Sequence, residues 1–355
     1  MHAESMTSRE RIATIFRRGI PDRIAIADVF WDSTLARWRR EGLPAGVVPE
    51  DYLGLEFRWL DWDRTLQLPP ATVEKTAEYT TTRDGNGVVS RRWASTSAYG
   101  FVDSLVKTPN DWRLYRDRLA ANDTRIDWPA LDRDYRRWRS QGQFVVFSAM
   151  PGYEDAWRIA GPENVLMAMV TEPGWVREMS DTTADLTISM AKLLLDRGYE
   201  LDGAWIWDDL GYKNGLLYGR RAYRELIMPA HRAVCDFFHS RGLPVILHSC
   251  GNVNDAIDLI VEAGFDCLQP MEVKAGMDVR QVKRQWGDRL VLMGNVDARL
   301  MSGHAEALEA EIRDKLTVAM AGGGYIYHSD HSVPDDVSLE QYRRTLDIVR
   351  KYAWY

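Results

Sequence analysis

The apolar residues of the chain fall into two patterns that take turns. Short apolar runs, FVVFSAM (144–150), LDGAWIWDD (201–209), LPVILHSC (243–250), FDCLQPME (265–272), RLVLMGNVD (289–297) and GYIYHSDH (324–331), have the length and continuity of strands buried on both faces. Between them lie longer segments with apolar residues three and four apart, such as RRAYRELIMPAHRAVCDFFHSRG, ended by Gly242, and NDAIDLIVEAG, ended by Gly264. Strand and helix repeated in this order predict a parallel sheet with right-handed crossovers. Two earlier runs, RIAIADVF (23–30) after the helical SRERIATIFRRG, and LGLEFRWLD (53–61), bring the expected strands to eight. No G-x-G-x-x-G turn follows the first of them, so a (β/α)8 TIM-type barrel is expected rather than an open doubly wound sheet. The segment TVEKTAEYTTTRDGNGVVSRRW alternates like two strands about Asp84-Gly85-Asn86-Gly87 and predicts a β-hairpin inserted outside the barrel, in the N-terminal third.

No internal repeat, low-complexity tract or Gly/Ser linker interrupts the 355 residues, and the chain, 1–355, is expected to form one domain. A net charge of −7 leaves no polycationic footprint, so nucleic acid is not an expected partner. The opening MHAESMTSRERIATIF lacks the apolar core of a secretory signal, and no run of about 18 apolar residues appears; a cytoplasmic location without membrane association is expected. Three cysteines, Cys235, Cys250 and Cys267, are too few and too uneven for a disulfide framework. Cys235 in a helix and Cys267 inside an apolar strand read as core residues, and His231 and His239 as helix-face residues.

In a barrel of this type the catalytic groups stand at the carboxyl ends of the strands. Those ends are polar here: Asp32 after the first, Trp207, Asp208 and Asp209, then His248 and Cys250, Gln269 and Glu272, Asn295 and Asp297, and finally His328, Asp330 and His331. Residues i and i+2 of a strand project to the same side, so His248 and Cys250 are expected to point together into the barrel mouth. A nitrogen and a sulfur ligand at that spacing suit Zn2+. A third ligand is expected from the last strand, His331 or His328, with Asp208, Asp209 or Glu272 as an oxygen donor or a partner for an imidazole. The plainer alternative for each is packing or hydrogen bonding, and Asp208-Asp209 read equally well as caps of the following helix.

Several segments carry a resemblance to a known family: MTSRERIATIFRRGIPDR, WDDLGYKNGLLY, LHSCGNV, QPME, MGNVD and GGGYIYHSDHSVPDDVS. Together they resemble the uroporphyrinogen decarboxylase superfamily, and most closely its zinc-dependent, cobalamin-linked methyltransferase branch. In that branch an H-x-C on one strand and a cysteine near the last strand bind zinc, which activates a thiol for methyl transfer. The first two positions match His248 and Cys250; the third does not, because His331 falls about where the family's cysteine would. The haem-pathway decarboxylases carry an arginine-rich R-Q-A-G-R segment that clamps an acidic porphyrinogen. Here the region reads IADVFWDSTLARWRREG, with Arg37, Arg39 and Arg40 later, on a predicted helix.

The resemblance therefore implies a zinc-dependent methyltransferase exchanging a methyl group between a small-molecule donor or thiol and a corrinoid. The expected metal ligands are His248, Cys250 and His331; the expected catalytic acids are Asp208, Asp209 and Glu272; and Asp32, Trp207, Gln269, Asn295 and Asp297 are expected to bind substrate. The D-x-H-x-x-G signature of a cobalamin-binding module is absent, so the cobalamin would be supplied in trans. Expected partners are the small-molecule methyl donor or acceptor, a corrinoid protein and a second copy of the chain. A metal-independent decarboxylase of a small carboxylated substrate is the runner-up, and a noncatalytic ligand-binding barrel the third reading.

Overall fold

Parallel strands buried on both faces need helices outside and side chains within, and the chain supplies both. The computed structural model describes residues 4–94 and 99–355. Eight parallel strands, β1 (Ala25–Ile26), β2 (Phe57–Leu60), β7 (Phe144–Ala149), β8 (Gly203–Trp207), β11 (Val245–Ser249), β12 (Cys267–Pro270), β13 (Val291–Met293) and β14 (Tyr325–Tyr327), lie in the order β1-β14-β13-β12-β11-β8-β7-β2. The Glu56 N–H donates to Ile26 O at 3.0 Å and ties the second strand back to the first, so the curled sheet closes on itself as a TIM-type barrel. Each predicted run contains one of these strands.

Alternation along the strands sorts the core into two layers. Phe144, Val146, Trp205, Ile246, Cys267, Val291, Met293 and Ile326 fill the barrel, and Ile12 and Ile15 of the helix Ser8–Phe16 pack with them. Val145, Phe147, Ile206, Leu247, Leu268 and Leu292 face the surrounding helices. Cys267 belongs to the inner layer and Cys235 to the outer, both fully buried, as the sequence suggests. His231 and His239 both lie on the helix Met228–His239, as read: His231 is on its completely buried face, and His239 is exposed and pairs with Asp266 at 2.8 Å.

The inserted hairpin is present and larger than expected. Its arms, β4 (Tyr79–Arg83) and β5 (Val89–Trp93), pair about residues 84–87, and β3 (Ala71–Lys75) and β6 (Tyr99–Asp103) add one strand on each side to give a four-stranded antiparallel meander. These outer strands are mostly exposed, so no buried face imposes the alternation that marks a strand in sequence. A two-stranded ribbon, β9 (Gly211–Tyr212) and β10 (Gly215–Leu216), follows β8 at the barrel mouth. No described helix is long and apolar enough to cross a membrane.

Candidate functional site

Register builds the site. His248 on β11 lies level with Trp207 on β8 and with Gln269 on β12, so these three side chains form one inward row above the apolar layer. Cys250 follows two residues later on the same face. The turn after β8 is fastened to the turn after β11: Asp209 Oδ1 accepts from the Cys250 N–H at 2.8 Å, and Ser249 Oγ accepts from the Leu210 N–H at 2.8 Å. The two backbones then run so close that a Cβ on Gly251 would fall 2.4 Å from the Gly211 carbonyl carbon, which is why glycine stands at both positions.

Two compact groups of metal-ligating atoms share Cys250. Asp209, His248 and Cys250 form one and Cys250, Glu272 and His331 the other, with all ligand atoms of each group within 4.8 Å of one another. His248 Nε2 lies 3.4 Å from Cys250 Sγ and 3.7 Å from Asp209 Oδ1, and His331 Nε2 lies 3.6 Å from Glu272 Oε1. Burial, and then the Asp209 and Glu272 carboxylates, push the Cys250 thiol well above its ordinary value. A cavity of about 620 Å3 opens over this cluster, with Asp209, Tyr212, Cys250 and Glu272 in its walls and Lys213, Lys274 and Arg299 as its cations.

Behind His248 runs a hydrogen-bond chain whose polarity is fixed from its far end. Ser329 O can only accept, so His328 Nδ1, 2.7 Å away, carries the proton. His328 Nε2 is then the acceptor for Gln269 Nε2 at 3.2 Å, and Gln269 Oε1 is left to accept from His248 Nδ1. The chain leaves the His248 Nε2 lone pair facing Cys250, the tautomer a metal ligand needs. His328 itself is fully buried, and burial takes its pKa down to about 4, so it is a neutral support. Asp28, unmarked inside the apolar run RIAIADVF, stands beside it: Oδ1 is 3.4 Å from His328 Nδ1, Tyr342 donates to Oδ2 at 2.9 Å, and burial pushes the carboxyl up to about 7.

The structure separates the remaining expected residues. Asp208 points away from Asp209, as alternation demands, and is completely buried; its Oδ1 accepts from the Glu154 N–H at 2.6 Å and its Oδ2 lies 3.0 Å from His231 Nε2. Asp32 is exposed at the first turn of the helix Asp32–Arg40 and belongs to neither ligand group. Asn295 is fully buried and bound to backbone, donating to Met277 O at 3.0 Å and accepting from the Val279 N–H at 2.9 Å. Asp297 caps the turn Ala298–Leu300 and pairs with Arg299 at 2.7 Å. Trp207 packs its ring 4.6 Å from that of His248. Exposed Trp31, which the sequence does not single out, lies 5.5 Å from the His331 ring. Arg37 pairs with Glu41 and Arg39 donates to the carbonyls of Pro44 and Val47, so neither is free to clamp a polycarboxylate.

The comparisons with known proteins agree with this architecture. Residues 156–352, more than half of the chain, match the family described as uroporphyrinogen decarboxylase (URO-D). The uroporphyrinogen decarboxylase of Mannheimia succiniciproducens is 25% identical over 231 residues, 61% of each chain, and that of Methylococcus capsulatus is 20% identical over 61% of this chain and 62% of its own. The chain thus spans about three fifths of the length of these relatives. A methyltransferase from Methanosarcina mazei has the same fold, with a TM-score of 0.70 over 98% of this chain and 99% of that one, at 17% identity. With its closed eight-stranded barrel and the matching residues 156–352, the chain belongs to the uroporphyrinogen decarboxylase family.

Proposed function

We propose that this protein is a zinc-dependent methyltransferase that exchanges a methyl group between a small-molecule donor or a thiol and a corrinoid supplied in trans. The observation that carries the reading is the position of Cys250, whose Sγ belongs to both ligand groups at the wall of the mouth cavity. A half-buried thiol between two carboxylates resists ionisation until a cation joins it, and decarboxylation has no need of such a sulfur. His248, Cys250 and either His331 or one of Asp209 and Glu272 would hold the metal. When bound, zinc supplies Lewis acidity and stabilises a thiolate or the lone pair of the methyl-bearing heteroatom.

The chain's own groups complete the chemistry. Gln269 holds His248 in the ligating tautomer, and Asp209 fixes the Cys250 backbone. Asp209 and Glu272 stand beside the sulfur, where either takes up or returns the proton of the heteroatom that loses the methyl group. Trp207 walls the inner side of the row, and Lys213, which makes no ion pair among the described residues, attracts an anionic substituent on donor or acceptor.

The experiment mixes purified protein with Co(I) cobalamin and a panel of methylated ethers, thioethers and amines, and follows the corrinoid spectrum. The expected result is conversion to methyl-Co(III) that a zinc chelator abolishes. An unchanged corrinoid across the panel, together with release of CO2 from a carboxylated pyrrole by metal-free protein, would replace this reading by the decarboxylase.

A further inference from the structure

A second cavity, also of about 620 Å3, lies between the inserted meander and the barrel, and it shares no lining residue with the first. Its roof is the inner face of β4 and β5. Thr80 pairs with Arg92 and Thr82 with Ser90, so the positions that line the cavity are two residues apart on each strand and share one face of the sheet. A sheet that merely covered the barrel would turn apolar side chains inward, whereas this face offers hydroxyls and a guanidinium.

The floor carries polar groups that lack partners. Asp155, in the helix Tyr153–Ala160, is only 6% exposed, and its carboxyl accepts no hydrogen bond among the described residues; Arg64 and Arg158 act on it through space alone. Its neighbour Glu154 differs, accepting from Trp157 Nε1 at 2.8 Å and from Arg158 Nε at 2.9 Å. Arg64 Nη1 is buried without a hydrogen-bond acceptor among the described residues; its charged neighbours are the exposed Asp61 at 3.5 Å and Asp155, which it attracts through space without a hydrogen bond. Arg92 makes no ion pair among the described residues. The other two acids of the wall are committed to turns: Asp63 accepts from the Thr65 N–H at 2.9 Å and Asp84 from the Asn86 N–H at 2.9 Å. Trp62, Trp157 and Tyr99 supply flat apolar surface.

Buried polar groups without partners are costly, and a ligand that supplies the partners removes the cost. We propose that this cavity is a second binding site, for a small planar aromatic molecule whose anionic group meets Arg64 and Arg92 and whose hydrogen-bond donor meets Asp155, the ring lying among Trp62, Trp157 and Tyr99. The site is independent of the cluster around Cys250.

The test is calorimetric titration of the full chain with 4-hydroxybenzoate, compared with benzoate, which lacks the donor, phenol, which lacks the anion at neutral pH, and 4-hydroxycyclohexanecarboxylate, which keeps both groups but is not planar. The site predicts one 4-hydroxybenzoate per chain and each analogue weaker by about tenfold, the worth of one hydrogen bond to a charged group. Asp155→Asn is expected to erase the preference over benzoate, and Arg92→Gln, at an exposed position that cannot unfold the barrel, to weaken 4-hydroxybenzoate by about tenfold. Cys250→Ser is expected to leave this binding unchanged, which separates the proposal from the metal centre. Absence of binding by 4-hydroxybenzoate and by larger hydroxylated aromatic acids would overturn it. So would binding that Arg92→Gln and Asp155→Asn leave intact, or that Cys250→Ser removes.

Discussion

Replacing Gln269 by leucine tests how the barrel prepares its histidine. The side chain is fully buried and joins two imidazoles, accepting from His248 Nδ1 and donating to His328 Nε2 at 3.2 Å. Leucine fills a similar volume but offers neither group, so His248 Nδ1–H and the His328 Nε2 lone pair are both left without partners. Each such group costs about 1–3 kcal/mol, and the fold is expected to lose about 2–6 kcal/mol in urea unfolding. His248 also becomes free to rotate or to exchange tautomers, and loss of such a partner typically lowers metal affinity about 10–100-fold. Gln269→Glu keeps an acceptor for His248 and is expected to retain zinc within about threefold, which is only about 0.6 kcal/mol. The assay is competition for zinc against a chromophoric chelator, with unfolding measured on the same preparations. Zinc affinity of Gln269→Leu within about threefold of the parent protein, on a folded barrel, would refute the argument that the chain from Ser329 O to His248 sets the ligand.

Other outcomes follow from the same geometry. Cys250→Ser is expected to lose most of the zinc, because its Sγ belongs to both ligand groups; zinc content per chain by elemental analysis checks this. His331→Ala is expected to weaken zinc retention more than His328→Ala, and His328→Ala to lower thermal stability more, since only His331 lies within a ligand group and His328 is fully buried. Arg11→Met is expected to destabilise the chain by about 1.5–3 kcal/mol in denaturant, because Arg11 is 1% exposed and its loss takes the cation from Asp22 and from one oxygen of the buried Glu56, whose other oxygen keeps Arg23 at 2.8 Å. In the parent protein burial pushes Asp22 up, but hydrogen bonds from Arg11 and from the Ser5 N–H outweigh it and hold the carboxyl well below the usual range. The unfolded chain therefore takes up this proton first, near pH 4, and stability falls as the pH drops from there toward the folded value; Arg11→Met is expected to flatten that acid limb.

The barrel was legible because its strands are buried on both faces and read as unbroken apolar runs, and the i, i+2 rule correctly sends His248 and Cys250 to one side. The same rule, carried one residue further, separates Asp208 from Asp209, which composition at the strand end does not. Asn295 and Asp297 look like site residues in sequence because they end a strand, but nothing in a residue's identity tells whether it will bind a ligand or the neighbouring backbone. Asp28 is masked in sequence by the apolar residues around it, while the exposed Asp32 four residues later stands as the polar end of the run. The second cavity was illegible for another reason. Its walls come from the meander, the turn after β2 and the helix after β7, and only the fold brings Arg64, Arg92 and Asp155 together.

Zinc X-ray absorption on the purified protein addresses the metal centre most directly. The account predicts about one zinc per chain in a first shell of one sulfur at about 2.3 Å and two or three nitrogen or oxygen atoms at about 2.0–2.2 Å, with imidazole scattering beyond it. In Cys250→Ser the sulfur is expected to vanish from whatever metal remains. A protein that retains no zinc when purified without chelators, or a zinc shell without sulfur, would contradict the centre at Cys250.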